Sequence, residues 1–189
     1  MTFDERLNEI ERKVTTDDFL RKKRLSGEIP FYVFDYPAQE ELKIREHILF
    51  LVERIGRQYP HIRFKHVELF SRMIEHIKAR GNLDKSYALE SKGGPQALWK
   101  ALSASVQPEQ FVRVLAEKGD IADRDLIFIS GIGTIWPWVR AHSLLNNLQS
   151  ATGNASVVLF YPGKYTGKSF RLFDKLPESD YYRAFQLVP

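Results

Sequence analysis

Three short runs of aromatic and β-branched residues constrain the fold of this chain more than any other feature. The runs IPFYVFD, DLIFI and ASVVLFY occupy positions 29–35, 125–129 and 155–161. Their apolar residues do not alternate with polar ones, which is typical of strands that are buried on both faces. Strands of this kind need helices above and below them. The three runs therefore predict an α/β fold.

Two further strands and the segments between them complete this prediction. Residues 62–69 predict an edge or half-buried strand because charged residues are interleaved with apolar ones, and residues 184–188 predict a short final strand. Strands that alternate with helices favour a mostly parallel sheet joined by right-handed crossovers. A length of 189 residues suits one domain. We predict a single domain over 1–189 with about five strands and helices on both faces, an N-terminal helical arm at 1–28 and a helical insertion at 81–119.

Composition excludes several kinds of site. The chain has no cysteine, which rules out disulfides, thiolate zinc sites, iron–sulfur clusters and a cysteine nucleophile. No stretch resembles a signal peptide or reaches the ~18 consecutive apolar residues of a membrane span. We therefore expect a cytoplasmic protein without membrane contact. The net charge of +4 and the pI of about 9.2 are mildly basic, which falls well short of a dedicated nucleic-acid-binding protein.

Two glycine-containing segments resemble nucleotide-binding turns. The segment GKYTGKS at 163–169 has three residues between its glycines where a P-loop has four, and too little chain follows it to supply a magnesium-binding acid. It favours a structural turn or a partner-contact loop over an ATP site. Gly131-Ile132-Gly133 follows a strand and precedes a predicted helix at about 136–149, but Trp136 replaces the third glycine of a dinucleotide-binding turn. Close packing of this turn is the favoured interpretation, although α/β proteins bind ligands at such positions.

The sequence contains no convincing catalytic or metal-binding constellation. The five histidines are scattered, and none has the i, i+4 partner and nearby glutamate of a helical zinc site. Ser130, His142 and Asp125 are the residue types of a hydrolase triad, but Ser130 lacks the surroundings of a nucleophile elbow. Asp35 and Glu68 end the first two strands, where they either face a common crevice or cap the helices that follow. We predict no cofactor, no metal and no enzymatic activity.

Two sets of residues are candidates for contact with macromolecules. Trp136 and Trp138 flank a proline at the predicted helix start, where both cannot point inward. They form either a partner surface or a pair with one ring in the core and one lying flat on the surface. Basic residues, with Tyr59 and Phe64 nearby for stacking, form either a nucleic-acid patch or, as is more common, a solvated surface; they are Arg21, Lys22, Lys23, Arg24, Arg57, Arg63 and Lys65.

Three separated segments together resemble the BrxB family of bacteriophage-exclusion (BREX) defence systems. They are IPFYVFDYPAQEELKIREHI, GIGTIWPWVRAHSLLNNLQ and VVLFYPGKYTGKSFRLF followed by YYRAFQLV. The resemblance covers most of the chain, but the region 81–119 does not contribute to it. None of the family's motif positions has an assigned catalytic role; in this chain they include Asp35, Tyr36, Pro37, Arg45, His47, Gly131, Gly133, Trp136, Pro137, His142, Asn146, Asn147, Tyr161, Pro162, Gly163, Tyr165 and Arg183.

The resemblance implies a small cytoplasmic adaptor or scaffold that works with larger BREX proteins. These are a phosphatase-like protein of the PglZ type, an ATPase and a DNA methyltransferase. The order of elements also looks like a P-loop NTPase sheet without its phosphate loop, because Ile129-Ser130-Gly131 stands where an acidic pair would end the third strand. We predict that a PglZ-type partner docks on an exposed surface formed by Trp136, Trp138, Tyr161, Tyr165 and Phe170. A nucleic-acid-binding module and a nucleotide-sensing or enzymatic domain are the alternatives.

Overall fold

The computed structural model describes residues 1–21, 31–103, 106–180 and 184–189. Seven helices longer than one 3-10 turn are present in these residues: α1 Phe3–Val14, α2 Asp17–Arg21, α3 Glu41–Gln58, α4 Leu69–Ala79, α5 Leu83–Ser103, α6 Pro108–Glu117 and α7 Ala141–Leu148. The strands of the same residues are β1 Phe31–Tyr36, β2 Phe64–Glu68, β3 Leu126–Ser130, β4 Ser156–Tyr165, β5 Ser169–Leu172, β6 Leu176–Asp180 and β7 Ala184–Gln186. Helix α5 is broken at Gly94, where φ is +73° and Pro95 follows, as the Gly-Gly-Pro sequence predicts.

Five strands form a parallel sheet in the order β2-β3-β4-β1-β7. These are the five strands that the sequence predicts, so the α/β class and the mostly parallel sheet are confirmed. Strand β1 lies between β4 and β7, although β2 follows it in sequence. The chain therefore leaves β1 through α3, crosses to the far edge of the sheet, and returns strand by strand through β3 to β4.

Each face of the sheet is covered by its own layer of helices. Alternate side chains of the strands point to opposite faces: Tyr32, Phe34 and Tyr36 pack with α1 and α3, while Phe31 and Val33 pack with α4, α6 and α7. Helix α3 presents the narrow stripe Ile44, Ile48, Leu51 and Ile55 to the sheet at steps of four, three and four. In β2 and β3 the even-numbered residues face α3. The last residues of these strands, Glu68 and Ser130, therefore lie on the same side of the sheet as Tyr36.

The N-terminal helix packs on the sheet as its apolar stripe predicts. Leu7, Ile10 and Val14 are buried, and the helix begins with a capping box in which Thr2 and Glu5 each bond the other's backbone N–H. Residues 22–28 of the predicted arm lie outside the described residues.

The strand predicted over 155–161 is longer in the structure. Strand β4 continues to Tyr165, turns, and pairs antiparallel with β5, which pairs in turn with β6. Pro162 is accommodated at the end of the pairing with β1, opposite Tyr36, and Gly163 then redirects the strand. A Cβ on Gly163 would lie 2.1 Å from the carbonyl oxygen of Arg171.

The helix predicted from about 136 begins later, at Ala141. Residues 131–140 instead form successive turns, in which Thr134 N–H bonds Gly131 O and Trp138 N–H bonds Ile135 O. The apolar residues of this segment meet the core through these turns, so a helical period is not needed to bury them. None of the helices in the described ranges is both long enough and apolar enough to cross a bilayer.

Candidate functional site

A crevice opens at the carboxyl ends of β1, β2 and β3, on the side of the sheet that α3 covers. Ligands of parallel α/β proteins bind at this edge of the sheet. The crevice has a volume of about 480 Å³ and continues into a recess of about 120 Å³ beside Gly133, Pro162 and Phe173. Its lining consists of Tyr36, Glu41, Ile44, Arg45, Ile48, Leu49, His66, Glu68, Phe70, Ser71, Ser130, Gly131 and Thr134.

A histidine and a serine from neighbouring strands meet on the floor of the crevice. His66 Nε2 lies 2.8 Å from Ser130 Oγ. The contact follows from the register, since Glu68 pairs with Ser130 across β2 and β3 and His66 is two residues earlier on the same face. Burial lowers the pKa of His66, with the charges of Arg72 and Lys65 acting in the same direction against that of Glu68. The imidazole is therefore mainly neutral at pH 7, and the hydrogen bond is donated either by Nε2–H or by the serine hydroxyl, depending on the tautomer.

The carboxylate of Glu68 caps helix α4 and lies against a glycine. Its oxygens accept hydrogen bonds from the backbone N–H groups of Phe70, at 3.3 Å, and Ser71, at 2.7 Å. A Cβ on Gly131 would lie 2.1 Å from Glu68 Oε1, and the φ of Gly131 is +81°. The positive φ therefore favours glycine at this position, and a side chain here would also displace the Glu68 carboxylate from its place. The cap predicted for Glu68 is present.

A tyrosine, a glutamate and an arginine form the wall opposite Glu68. Tyr36 Oη donates to Glu41 Oε2 at 2.6 Å, and Arg45 Nε donates to Glu41 Oε1 at 2.8 Å. Burial, then the negative charge of Glu41, raises the pKa of Tyr36, so its hydroxyl keeps its proton over the physiological range. The Glu41 carboxylate raises the pKa of Arg45 as well. The charges of Glu41 and Arg45 offset each other.

Large apolar side chains stand exposed around the mouth of the crevice. Leu49 of α3 is 65% exposed and Phe70 at the start of α4 is 42% exposed; both line the opening. Leu42, two turns before Leu49 on the same face of α3, is 73% exposed. Both leucines lie outside the stripe of Ile44, Ile48, Leu51 and Ile55 that reaches the sheet. A helical wheel separates them from this stripe, because they fall outside its steps of four, three and four.

Several motif positions of the family resemblance lie around this crevice. Tyr36, Arg45 and Gly131 line it, and Gly133 lines the adjoining recess. A Cβ on Gly133 would come within 2.9 Å of the Phe173 ring. Asp35 does not face the crevice, because it lies one residue before Tyr36 and its side chain points to the other face of β1. The expected pairing of Asp35 with Glu68 across a common crevice is therefore wrong.

The remaining motif positions serve structural contacts elsewhere. Asp35 accepts from Arg6 Nη2 at 2.8 Å and from Tyr165 N at 3.1 Å, so it is not a cap for the following helix either. His47 Nε2 lies 3.1 Å from Leu7 O, which joins α3 to α1. In α7, His142 contacts Ser143 and Asn147 donates to Ser143 O, while Asn146 is exposed. Arg183 lies outside the described residues.

Three of the five aromatic residues predicted on a partner surface are buried. Tyr161 and Tyr165 have no exposed surface and Phe170 has almost none. The rings pack together within the core under the β4–β5 hairpin: Tyr165 stacks on Phe170 with centroids 4.5 Å apart, and Tyr161 lies tilted against Phe170 with centroids 4.8 Å apart. The prediction that they are exposed is wrong, because the strand alternation of the hairpin turns them inward and leaves Lys164 and Thr166 outside.

The two tryptophans near the glycine turn are half-buried. Trp136 and Trp138 pack against the larger core cluster, and Trp138 Nε1 donates to Trp99 O at 3.2 Å. Because the helix begins only at Ala141, both rings can turn towards the core, so the premise that both cannot do so is wrong. Trp99 is the most exposed of the three tryptophans.

The basic residues of the candidate nucleic-acid patch lie beside acidic partners. Arg57 pairs with Glu53, and Lys65 pairs with Asp120. Arg63 pairs with two aspartates that lie just before β3, Asp123 and Asp125. The described part of the patch is therefore largely neutralised. Residues 22–24 lie outside the described residues, and nothing is described of the Arg21 side chain.

The P-loop-like segment is a structural turn, and the three residue types of a hydrolase triad each contact other residues. The segment 163–169 forms the end of β4 and the turn into β5, which is the structural turn favoured above. Of the three triad residue types, Ser130 contacts His66, His142 contacts Ser143, and Asp125 binds Arg63. In the described ranges, no group of three or more His, Asp or Glu side chains is arranged to hold a metal ion.

Comparisons with known proteins match this chain over nearly its whole length. The family model of the BREX protein BrxB matches residues 65–187. The BREX protein BrxB of Bacillus cereus (strain H3081.97) is 35% identical over 188 residues, which cover 97% of this chain and 96% of that protein. The BREX protein BrxB of Escherichia coli O9:H4 (strain HS) is 34% identical over 184 residues, covering 97% and 90%. No solved structure matches, so the likeness to a P-loop NTPase sheet stays a prediction.

Proposed function

The chain belongs to the BrxB family of BREX proteins, and from this premise we propose that it is a non-catalytic, cytoplasmic adaptor of a BREX defence system. In this role it docks a larger BREX protein, and the PglZ-type phosphatase-like protein is the first candidate. The observation that carries the proposal is the exposure of Leu49 and Phe70 at one concave opening, with Leu42 exposed two turns before Leu49 on the same face of α3. Clustered exposed apolar side chains around a pocket are characteristic of protein–protein contact sites.

The polar groups of the crevice support a structural role rather than a catalytic one. Glu68 is committed to the N-terminus of α4, and Glu41 binds both Tyr36 and Arg45. A carboxylate that acts as a general acid or base has to change its protonation state during the reaction. Such a change would here remove a helix cap or leave Arg45 without its partner. The site therefore suits a fixed binding surface better than a reaction centre.

The ion pairs of the basic residues favour a protein partner over nucleic acid. Arg57, Arg63 and Lys65 each lie within ion-pair distance of an acidic side chain. To contact phosphates they would first have to give up these partners, which lowers the gain from counterion release. An affinity for duplex or single-stranded DNA that falls steeply with salt would argue for the nucleic-acid alternative instead.

Co-purification from cells that express the BREX neighbours tests the proposal. The tagged chain is captured at moderate salt with nuclease present, so that DNA cannot bridge two proteins. We expect a stoichiometric complex with the PglZ-type protein that Leu49→Asp disrupts, since a buried unpaired charge opposes binding by several kcal/mol. Tyr87→Ala, which removes an exposed aromatic ring from α5, is the matched control and should leave the complex intact.

The outcome that contradicts the proposal is recovery of the wild-type chain alone. A complex that survives Leu49→Asp, or one that Tyr87→Ala disrupts instead with an unchanged melting temperature, would place the docking surface elsewhere on the protein. Trp136→Ala serves as a further comparison, because that residue belongs to the surface that the sequence predicts.

A further inference from the structure

We infer that the crevice is a socket for a cationic side chain, arginine or lysine, presented by the docked protein partner. This inference rests on the proposed function and adds to it the chemistry of the contact. It concerns the interior of the opening, where Glu68, Ser130 and His66 form the floor, and not the apolar rim alone.

The floor of the crevice accepts hydrogen bonds and carries a negative charge. Glu41 and Arg45 form an ion pair, while Lys65 and Arg72 both lie within ion-pair distance of Asp120 and Arg72 also pairs with Glu75. Among the described residues Glu68 is the crevice carboxylate that forms no ion pair, and its negative charge is partly offset by nearby Arg45 and by the α4 N-terminus that it caps. A local negative site in a chain of net charge +4 complements a cation and opposes an anionic ligand.

The acceptors stand where one donor group reaches more than one of them. Ser130 Oγ keeps an acceptor lone pair whichever atom holds the proton shared with His66. Each Glu68 oxygen accepts one backbone N–H and keeps capacity for a second bond. A guanidinium or ammonium group has several N–H donors to satisfy these acceptors together.

The walls of the crevice suit the aliphatic stem of such a side chain. Ile44 and Ile48 are buried on the side of α3 and line the opening. Lysine and arginine bury their methylene groups along apolar surfaces while the charged end reaches polar partners. Leu49 and Phe70 then exclude water around the inserted chain, as the rim of an interface hot spot does.

A macromolecule fits this site better than a small cation. A small ligand that fills the crevice would leave Leu42 and the outer faces of Leu49 and Phe70 in water. A protein that inserts one side chain covers the rim at the same time, and the rim extends along α3 well beyond the opening. The observations therefore favour a protein partner.

The position of the Glu68 carboxylate is fixed before any partner binds. Its two bonds to the start of α4 and its contact with Gly131, where no Cβ fits, hold Oε1 in one place. A preorganised acceptor loses little conformational freedom on binding, which strengthens the contact. Gly131 is thus a positioning residue for the charge of the socket.

The test measures the affinity of the purified PglZ-type partner for variants that differ by one charge. Glu68→Gln keeps the shape and an oxygen acceptor but removes the charge, and we expect its Kd to rise about tenfold or more. Glu53→Gln, which removes an exposed carboxylate from helix α3 outside the crevice lining, should change the Kd less than about twofold. The affinity of the wild-type chain should also fall more steeply with salt than that of Glu68→Gln.

Two further measurements test the inference in case Glu68→Gln unfolds or loses affinity for a reason other than its missing charge. Glu68→Asp keeps both the charge and a good helix cap, so it should bind more tightly than Glu68→Gln. A photo-crosslinker at Phe70 maps the partner segment, and replacing its arginine or lysine with glutamine should weaken binding to the wild type but not to Glu68→Gln.

The outcomes separate the two proposals. No binding by the wild-type chain overturns the proposed function itself. Binding that Leu49→Asp weakens and Glu68→Gln leaves unchanged keeps the adaptor and overturns the socket. A rise in melting temperature with millimolar ATP, GTP or dinucleotide that Glu68→Gln abolishes also overturns the socket, since it assigns the crevice to a small molecule.

Discussion

Asp35 connects three parts of the fold through one carboxylate. Its Oδ1 accepts from Arg6 Nη2 at 2.8 Å and its Oδ2 accepts from Tyr165 N at 3.1 Å. The same Arg6 donates to Val188 O at 2.9 Å and lies 4.8 Å over the ring of Phe34. The carboxylate therefore ties helix α1, the end of β4 and the C-terminal residues together, and we predict that Asp35→Ala weakens the whole fold.

The expected cost of Asp35→Ala is about 3 kcal/mol in the free energy of unfolding. Removal of one partner from a buried ion pair costs about 3–5 kcal/mol, and a backbone N–H left without an acceptor costs about 1–3 kcal/mol. The lower end of this range applies because the side chains of Arg6 and Asp35 are 17% and 12% exposed, which lets water reach the remaining guanidinium. In a chain of this length about 3 kcal/mol lowers the melting temperature by about 6–12 °C.

Urea denaturation followed by circular dichroism measures the effect. A double-mutant cycle with Arg6→Gln should show a coupling of about 1–2 kcal/mol between the two side chains. Glu53→Ala is the control, because the exposed Glu53–Arg57 pair contributes at most about 0.5 kcal/mol. An Asp35→Ala protein within about 0.5 kcal/mol of the wild type would refute the reasoning. Strict additivity with Arg6→Gln would refute the pairing.

Three further substitutions test other parts of the structure. Gly131→Ala should destabilise the protein by about 2 kcal/mol or more in urea, because φ is +81° and the Cβ meets Glu68; Gly56→Ala, in an open position of α3, should stabilise it by about 0.5–1 kcal/mol. Tyr165→Ala should lower the free energy of unfolding by about 3–5 kcal/mol, since a fully buried ring is lost; an unchanged melting temperature would contradict its burial. Burial holds the pKa of His66 below the unfolded value of 6.5. The contribution of His66 to the free energy of unfolding is therefore fully present above that pH and decreases as the pH falls below it. In a urea series from pH 5 to 7.5, His66→Gln should reduce the dependence of the free energy of unfolding on pH.

The strands of the parallel sheet could be predicted because their signal is local. A run such as LIFI has no polar face that could be exposed to solvent, so it is buried on both faces whatever the order of the other strands. The β5–β6 hairpin could not be predicted in the same way. Its residues alternate only weakly, and Pro162-Gly163 reads as the end of a strand, although Gly163 bends β4 against Arg171 O.

The place of the crevice was partly predictable, but its composition was not. The sequence indicates polar residues at the ends of the first two strands and a glycine turn after the third. Side chains alternate between the two faces of each strand, and only those on the face that α3 covers can enter the crevice. This alternation puts Tyr36 in the crevice and Asp35 on the opposite face. The contact of His66 with Ser130 further requires β2 beside β3 in the observed register, which no local pattern contains.

The glycine turn shows that packing and binding are not opposing explanations of a motif. Gly131 is glycine because its φ is positive and because Glu68 occupies the space of a side chain. This is a packing requirement, as the sequence analysis favours. The same contact, however, sets the position of Glu68, the crevice carboxylate that forms no ion pair in the described part of the chain. A residue that is needed for packing thereby determines which ligand charge the adjacent opening accepts, and Gly131→Ala should change partner affinity even in a protein that still folds.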